Sequence, residues 1–279
     1  MRFSLGCELN YSVNSPTILI LNVEAMNGGW QRVLAEDFSV TPLVGSEAHR
    51  AAESDNLYRR LALPPGEYAI RYTAEVDLTP TLDDPAGIGE TPVGTLPLEV
   101  LTYLYPSRFC QSDVLARFAW RQFGALAPGH QRVTAMCNWI HDNVDYLAGA
   151  SDSGTSAADT FALRAGVCRD FAHLGITFCR ALGIPARFVS AYGWQLMPQD
   201  FHAVFEAYLD GRWFLFDATR LSPLDGLVRI GEGRDAADTS FATFYGTVAP
   251  GPMRVWINPL DASDATQTWT TQAVSVATA

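Results

Sequence analysis

Over the first 105 or so residues, apolar and polar positions alternate in short runs: Arg2–Leu9, Thr17–Val23, Glu67–Val76 and Leu96–Tyr103. A period of two over this length predicts β-strands with one face buried. Turn-forming clusters separate the runs, at Asn14-Ser15-Pro16, Asn27-Gly28-Gly29, Pro64-Pro65-Gly66 and throughout Thr79–Gly94. Closely spaced short strands of this kind predict a β-sandwich.

At Pro106 the period changes. Ser112–Phe123 reads as a helix with Ser112 as N-cap and Gly124 as stop. In His130–Tyr146 the positions Val133, Met136, Cys137, Ile140 and Val144 form one helical stripe. Gly149–Ala158 is small and polar, a loop, and Asp159 can cap a short helix through Arg164. The next helix starts at or near Cys168. Its apolar face is Phe171, Leu174, Phe178 and Leu182, and Gly183 followed by Pro185 ends it. Strands are predicted at Ala186–Tyr192, His202–Leu209 and Arg212–Thr219, the last two joined by the hairpin dipeptide Asp210-Gly211. A further helix is predicted around Asp235–Tyr245, and the Thr/Ala/Gln-rich stretch from Thr266 is expected to be loosely held. The fold class is therefore α+β, with an N-terminal β domain over 1–105 and a second domain over 106–279.

Composition narrows the function. The 279 residues carry 19 basic and 30 acidic side chains, a net of −11, and every basic residue is Arg. Fourteen acidic and six Arg residues lie in the first 105, so most of the negative charge belongs to the β domain and not to the rest. An acidic chain without a basic stripe is not a nucleic-acid binder. The longest apolar run, Thr17–Val23, is strand length, so no membrane association is expected. The start is too short and polar for a signal peptide, and no apolar stretch precedes the Leu5-Gly6-Cys7 that resembles a lipoprotein site. Five cysteines without a CxxC pair predict free thiols in a reducing compartment, and so a cytoplasmic protein. No metal motif, dinucleotide fingerprint or P-loop is present, so no cofactor or metal is expected.

One cysteine stands apart. A thiol attacks as the thiolate, which the N–H groups and dipole of a helix start stabilise. Of Cys7, Cys110, Cys137, Cys168 and Cys179, only Cys168 falls at a helix start; Cys137 and Cys179 read as core. In the hairpin, a two-residue turn makes His202 a diagonal neighbour of Asp217, within side-chain reach. Asp217 closes an otherwise apolar strand and needs a donor there, which the His202 imidazole supplies. This leaves the other ring nitrogen for a thiol. Spacing alone does not bring the pair to Cys168. His141 and His173 read as exposed or core-satisfied, His49 and His130 as unpartnered. Asp170 is read as a helix-start residue and Glu206 as structural.

The run Gly166-Val167-Cys168-Arg169-Asp170-Phe171-Ala172-His173-Leu174, followed by Phe201-His202-Ala203 and Trp213-Phe214-Leu215-Phe216-Asp217-Ala218-Thr219, resembles the core of the bacterial transglutaminase-like superfamily. The preceding β region is similar to the N-terminal domain that accompanies it. The resemblance implies a papain-like core in which Cys168 is the nucleophile, His202 the base and then the acid, and Asp217 its orienter. It implies acyl transfer through a thioester, with peptide or isopeptide hydrolysis expected first. An amine-accepting acyltransferase and a non-catalytic module that kept the fold are the alternatives. No DxDxDG-type calcium loop accompanies the motifs, which weakens the cross-linking alternative. Val204 stands where the family usually has Trp; the hairpin register puts it across from Asp217, where it would alter the cover over the triad.

Overall fold

The computed structural model describes residues 1–261 and 269–276. Its first part is β1 (Arg2–Val13), β2 (Thr17–Leu21), β3 (Gln31–Thr41), β4 (Ser46–Arg50), β5 (Leu57–Leu63), β6 (Gly66–Leu78) and β7 (Thr81–Asp83). The middle holds α1 (Ser112–Phe123), α2 (His130–Asn143), β8 (Asp145–Tyr146), α3 (Ala157–Leu163), β9 (Ala165–Gly166) and α4 (Cys168–Ala181). Then follow β10 (Ala186–Gly193), β11 (Phe201–Leu209), β12 (Arg212–Phe216), β13 (Leu227–Gly233), β14 (Ala242–Tyr245), β15 (Val248–Pro259) and β16 (Ala273–Val276).

Two four-stranded sheets, ordered β15-β1-β6-β3 and β14-β2-β5-β4, share one apolar core that includes Phe3, Leu5, Leu19, Leu61, Ile70 and Tyr72. This is the predicted sandwich, and it draws strands from both ends of the chain. β14 pairs with β2 and β15 with β1, while β7 joins β16 in the other, six-stranded sheet, β13-β10-β11-β12-β16-β7. A cut at residue 105 therefore divides the sequence but not the sheets.

The predicted helix at Asp235–Tyr245 is not formed: those residues make turns and then β14, because pairing with β2 buries one side of the segment. The predicted strand at Leu96–Tyr103 is instead a 3-10 turn over Leu98–Leu104, started by Pro97. The stretch from Thr266 lies partly outside the described residues. Its described end is β16, where Ala273 and Val274 are buried in the six-stranded sheet.

The second core is built around α4. The predicted stripe is present, with Phe171, Leu174, Phe178 and Leu182 all buried, but the helix is enclosed on every side, between β10–β11 and the helices α1 to α3. Its polar residues are partnered accordingly. The Arg180 guanidinium donates to the Ala186, Tyr105 and Arg234 carbonyls and to Ser107, tying the linker, β10 and a later loop to one helix. The helix closes as expected, with Gly183 N–H bonded to the Arg180 carbonyl and Ile184 N–H to that of Cys179. α2 ends at Asn143 and not at Tyr146, because Tyr146 leaves to pair with Gly166 across β8 and β9. The short helix α3 is capped by Ser156, with Asp159 completing the capping box from inside the helix.

β11 and β12 form the predicted hairpin, Leu209 opposite Arg212 and Tyr208 opposite Trp213, turning at Asp210 (φ 46°) and Gly211 (φ 77°). The ladder stops at Phe205–Phe216, three positions short of the predicted Thr219. Asp217 causes the departure: its Oδ1 accepts the Thr219 N–H at 2.8 Å and the Thr219 hydroxyl at 2.6 Å, a turn that competes with strand pairing. Val204 therefore has no partner in β12. It is buried with Val189, Leu215 and Val274, so the departure from Trp alters that apolar layer and not the cover of a cleft.

Candidate active site

Cys168 opens α4. Val167 is extended, and Asp170 in the first turn accepts the Val167 N–H at 2.8 Å, so the helix starts sharply at the cysteine. A Cβ on Gly166 would meet the Asp170 Cβ at 2.7 Å, which is why this approach admits only glycine. Asp170 has the helix-start role expected of it and more. It is fully buried, accepts the Ser151 hydroxyl at 2.5 Å and pairs with Arg169 at 3.1 Å, fastening the preceding loop to the helix start. Asp170→Ala strands the Val167 N–H and removes a charged acceptor; urea denaturation should show a loss of about 2–3 kcal/mol.

Cys168 is the one part-exposed cysteine of the five. Burial pushes the other thiols up, Cys7 to about 11 and Cys110 to about 12, and it raises Cys137 and Cys179 as well, so none of them offers a thiolate at neutral pH.

His202, on β11, is brought to the same cleft. Its Nε2 bonds to Asp217 Oδ2 at 2.8 Å, and both side chains are buried. Nδ1 is buried with no formed hydrogen bond, and the Cys168 sulfur and the Asp200 carboxyl also act on the ring. Burial alone would depress the imidazole pKa. The Asp217 charge and hydrogen bond, with the Cys168 sulfur, outweigh it and raise the pKa well above the usual range. In return, burial would raise the Asp217 carboxyl, but the His202 charge and the Thr219 donors hold it below the usual range. Each partner thus favours the charged form of the other, imidazolium beside carboxylate, next to the Cys168 sulfur.

The three residues singled out from the sequence thus meet in one place. One further group escaped that reading. The Tyr146 phenol lies against Cys168 and interacts with both its backbone N–H and its sulfur; partial burial and the sulfur charge push its pKa up. No motif marks a tyrosine 22 residues before a cysteine; only the β8–β9 bridge, which sets Tyr146 beside Gly166, brings it there. The other predicted roles are as follows. His173 is fully buried, its Nε2 accepting the Ala236 N–H at 3.2 Å. His141 is exposed beside Asp142. His130 packs on Phe216, and burial lowers its pKa to about 4. Glu206 is fully buried between Arg187 and Arg229. Among the described residues no cluster of three or more His, Cys, Asp or Glu is placed to hold a metal ion, and no helix is long and apolar enough to cross a membrane.

Fold and site together define a cysteine-dependent, papain-like α+β core with an accompanying β domain. Residues 118–218 match the model of the transglutaminase-like superfamily, and residues 1–97 that of the bacterial transglutaminase N-terminal domain. A solved structure of a candidate cysteine protease from Cytophaga hutchinsonii is similar along the whole length: 42% identity, 99% of this chain and 97% of that one, TM-score 0.94. An uncharacterised protein of Mycobacterium leprae is 32% identical over 120 residues, 39% of this chain and 42% of its own. One of Mycobacterium tuberculosis is 29% identical over 150 residues, 53% of this chain and 45% of its own. The chain thus matches less than half the length of these mycobacterial relatives. It belongs to the bacterial transglutaminase-like superfamily, a family of cysteine-dependent enzymes.

Proposed function

We propose that the chain hydrolyses an amide bond of a peptide or protein through a thioester on Cys168. The observation that carries this reading is the part-exposed Cys168 at a helix start, in one cleft with an imidazole bonded to Asp217 at 2.8 Å. The imidazolium holds the sulfur as thiolate, which attacks the carbonyl carbon. The Cys168 N–H and the Tyr146 hydroxyl flank the oxygen on which negative charge develops. His202 gives its proton to the departing amine, and a thioester remains. His202 then takes a proton from water, the hydroxide adds to the thioester carbonyl, and the acid leaves as the C–S bond breaks, which restores the thiolate beside a protonated His202. Asp217 keeps the ring in register throughout.

Incubation with a mixed peptide library tests this. New carboxyl termini are expected with the wild type and none with Cys168→Ala. With a fluorescent primary amine and a glutamine-bearing protein in the same tube, no conjugate is expected. Conjugation without hydrolysis would assign the second step to an amine acceptor, and no product of either kind would remove the activity.

A further inference from the structure

The cleft beside Cys168 and His202 encloses about 570 Å³, and its walls are aromatic and aliphatic: Phe109, Phe188, Phe201, Ile230, Phe241 and Met253. These come from the linker before α1, from β10, β11 and β13, from the loop before β14, and from β15 of the sandwich. Apart from His202, two charged residues line it, Arg169 and Asp200. The Arg169 guanidinium is already committed to the Asp170 carboxylate at 3.1 Å and to the Asp152 carbonyl. Asp200 accepts the Phe201 N–H at 2.7 Å and is in no ion pair among the described residues. Of the five hydroxyl side chains that line it, Ser190 and Ser240 donate to the Gly231 and Ala242 carbonyls, and Thr239 Oγ1 is buried without a hydrogen-bond partner, one polar atom against the three groups of a carboxamide.

The walls are held before any ligand arrives. Phe201 stacks on Phe241 with ring centroids 5.3 Å apart. Behind the other wall, the buried His173 ring sits 5.2 Å from both Phe109 and Phe188. His173 also accepts the Ala236 N–H, and Asp235 accepts the Phe109 N–H at 2.8 Å. A pocket fixed in this way loses little ordering entropy on binding.

Resting on Cys168 as the nucleophile, we propose that this pocket receives a large apolar side chain, aromatic or branched aliphatic, on the acyl side of the scissile bond. The substrate is then the main-chain amide of an apolar peptide segment and not a glutamine side chain. A carboxamide carries two donors and an oxygen acceptor, and against these phenyl and aliphatic walls it would lose water without adequate replacement. An aromatic ring exchanges water for apolar contact along these walls. A carboxylate gives up still more hydration than a carboxamide against the same walls and is disfavoured.

Acetyl-dipeptidyl chloromethyl ketones, with Phe, Leu, Gln, Asp and Gly placed in turn at each of the two positions, test this. The rate of Cys168 alkylation is read by mass spectrometry and divided by the rate with iodoacetamide. At one position Phe and Leu are expected to exceed Gly by roughly 30-fold or more, with Asp below Gly. In Phe241→Ala the Phe-to-Gly ratio should fall to within a few-fold. A flat series, a preference for Gln, or an undiminished ratio in Phe241→Ala overturns the assignment. Failure of iodoacetamide itself to single out Cys168 is a different result, and it strikes the nucleophile and not the pocket.

Discussion

His202→Ala should lower turnover by roughly 10³-fold or more while leaving the protein folded. The size follows from what the ring does. In the mechanism proposed above it stabilises the sulfur anion, protonates the departing amine and later takes a proton from water, so its loss would remove three functions that act as one unit. Its position depends on Asp217, whose carboxylate divides its oxygens between the ring at 2.8 Å and Thr219. Asp217→Asn should therefore come close to the same defect without touching the sulfur. His202→Ala with Asp217→Asn should be little worse than either alone, whereas independent roles would multiply. Steady-state rates on the preferred peptide, with circular dichroism to verify folding, decide the matter. Near wild-type turnover in His202→Ala would remove the imidazole from the mechanism.

The second large effect is on stability. Arg187, Glu206, Arg229 and Glu232 form a closed ring of alternating charge in which each carboxylate meets both guanidinium groups. Arg187 lies over the Trp213 ring at 4.2 Å and Arg229 over Trp30 at 4.7 Å, so the ring closes at the seam between the catalytic sheet and the sandwich. Gln31 adds to that seam by accepting the Arg229 N–H at 2.8 Å. Glu206 is fully buried, and Glu206→Gln leaves two buried guanidinium groups with one carboxylate between them. A loss of about 3–5 kcal/mol is expected, read as a fall in Tm of roughly 10 °C. Removing the exposed Glu47 from its pair with Arg60 should change stability by less than about 1 kcal/mol. A Tm for Glu206→Gln within 2 °C of wild type would show that the ring is not holding the seam.

The site was largely legible in the sequence because each of its parts has a local cause. A helix start, an Asp-Gly turn and an acid at the end of an apolar strand are decided by a few neighbouring residues. The turn then brought His202 near Asp217, although the ladder ends at Phe205–Phe216 and the Asp217 turn with Thr219 completes the approach. Their meeting with Cys168 depended on how α4 packs against β11, which no local pattern states, so there the family resemblance supplied what spacing could not.

The misses have physical reasons too. β3 and β4 are exposed along most of their length, so they show little of the alternation that marks a half-buried strand. Asp235–Tyr245 has helix-compatible spacing, but pairing with a strand more than 200 residues earlier decides its end. The ring of Arg187, Glu206, Arg229 and Glu232 is scattered over three strands, and Glu206 could be read only as structural. The aromatic cleft beside Cys168 is assembled from six segments and leaves no motif.

The most direct test of the central claim is the rate of Cys168 alkylation by iodoacetamide, followed by peptide mass spectrometry as pH is varied. The account predicts that Cys168 reacts far faster than Cys7, Cys110, Cys137 or Cys179 at neutral pH. Because His202 is protonated well past the ordinary imidazole range and stands beside the sulfur, that rate should collapse in His202→Ala. A Cys168 that reacts no faster than Cys179, or keeps its rate without His202, contradicts it.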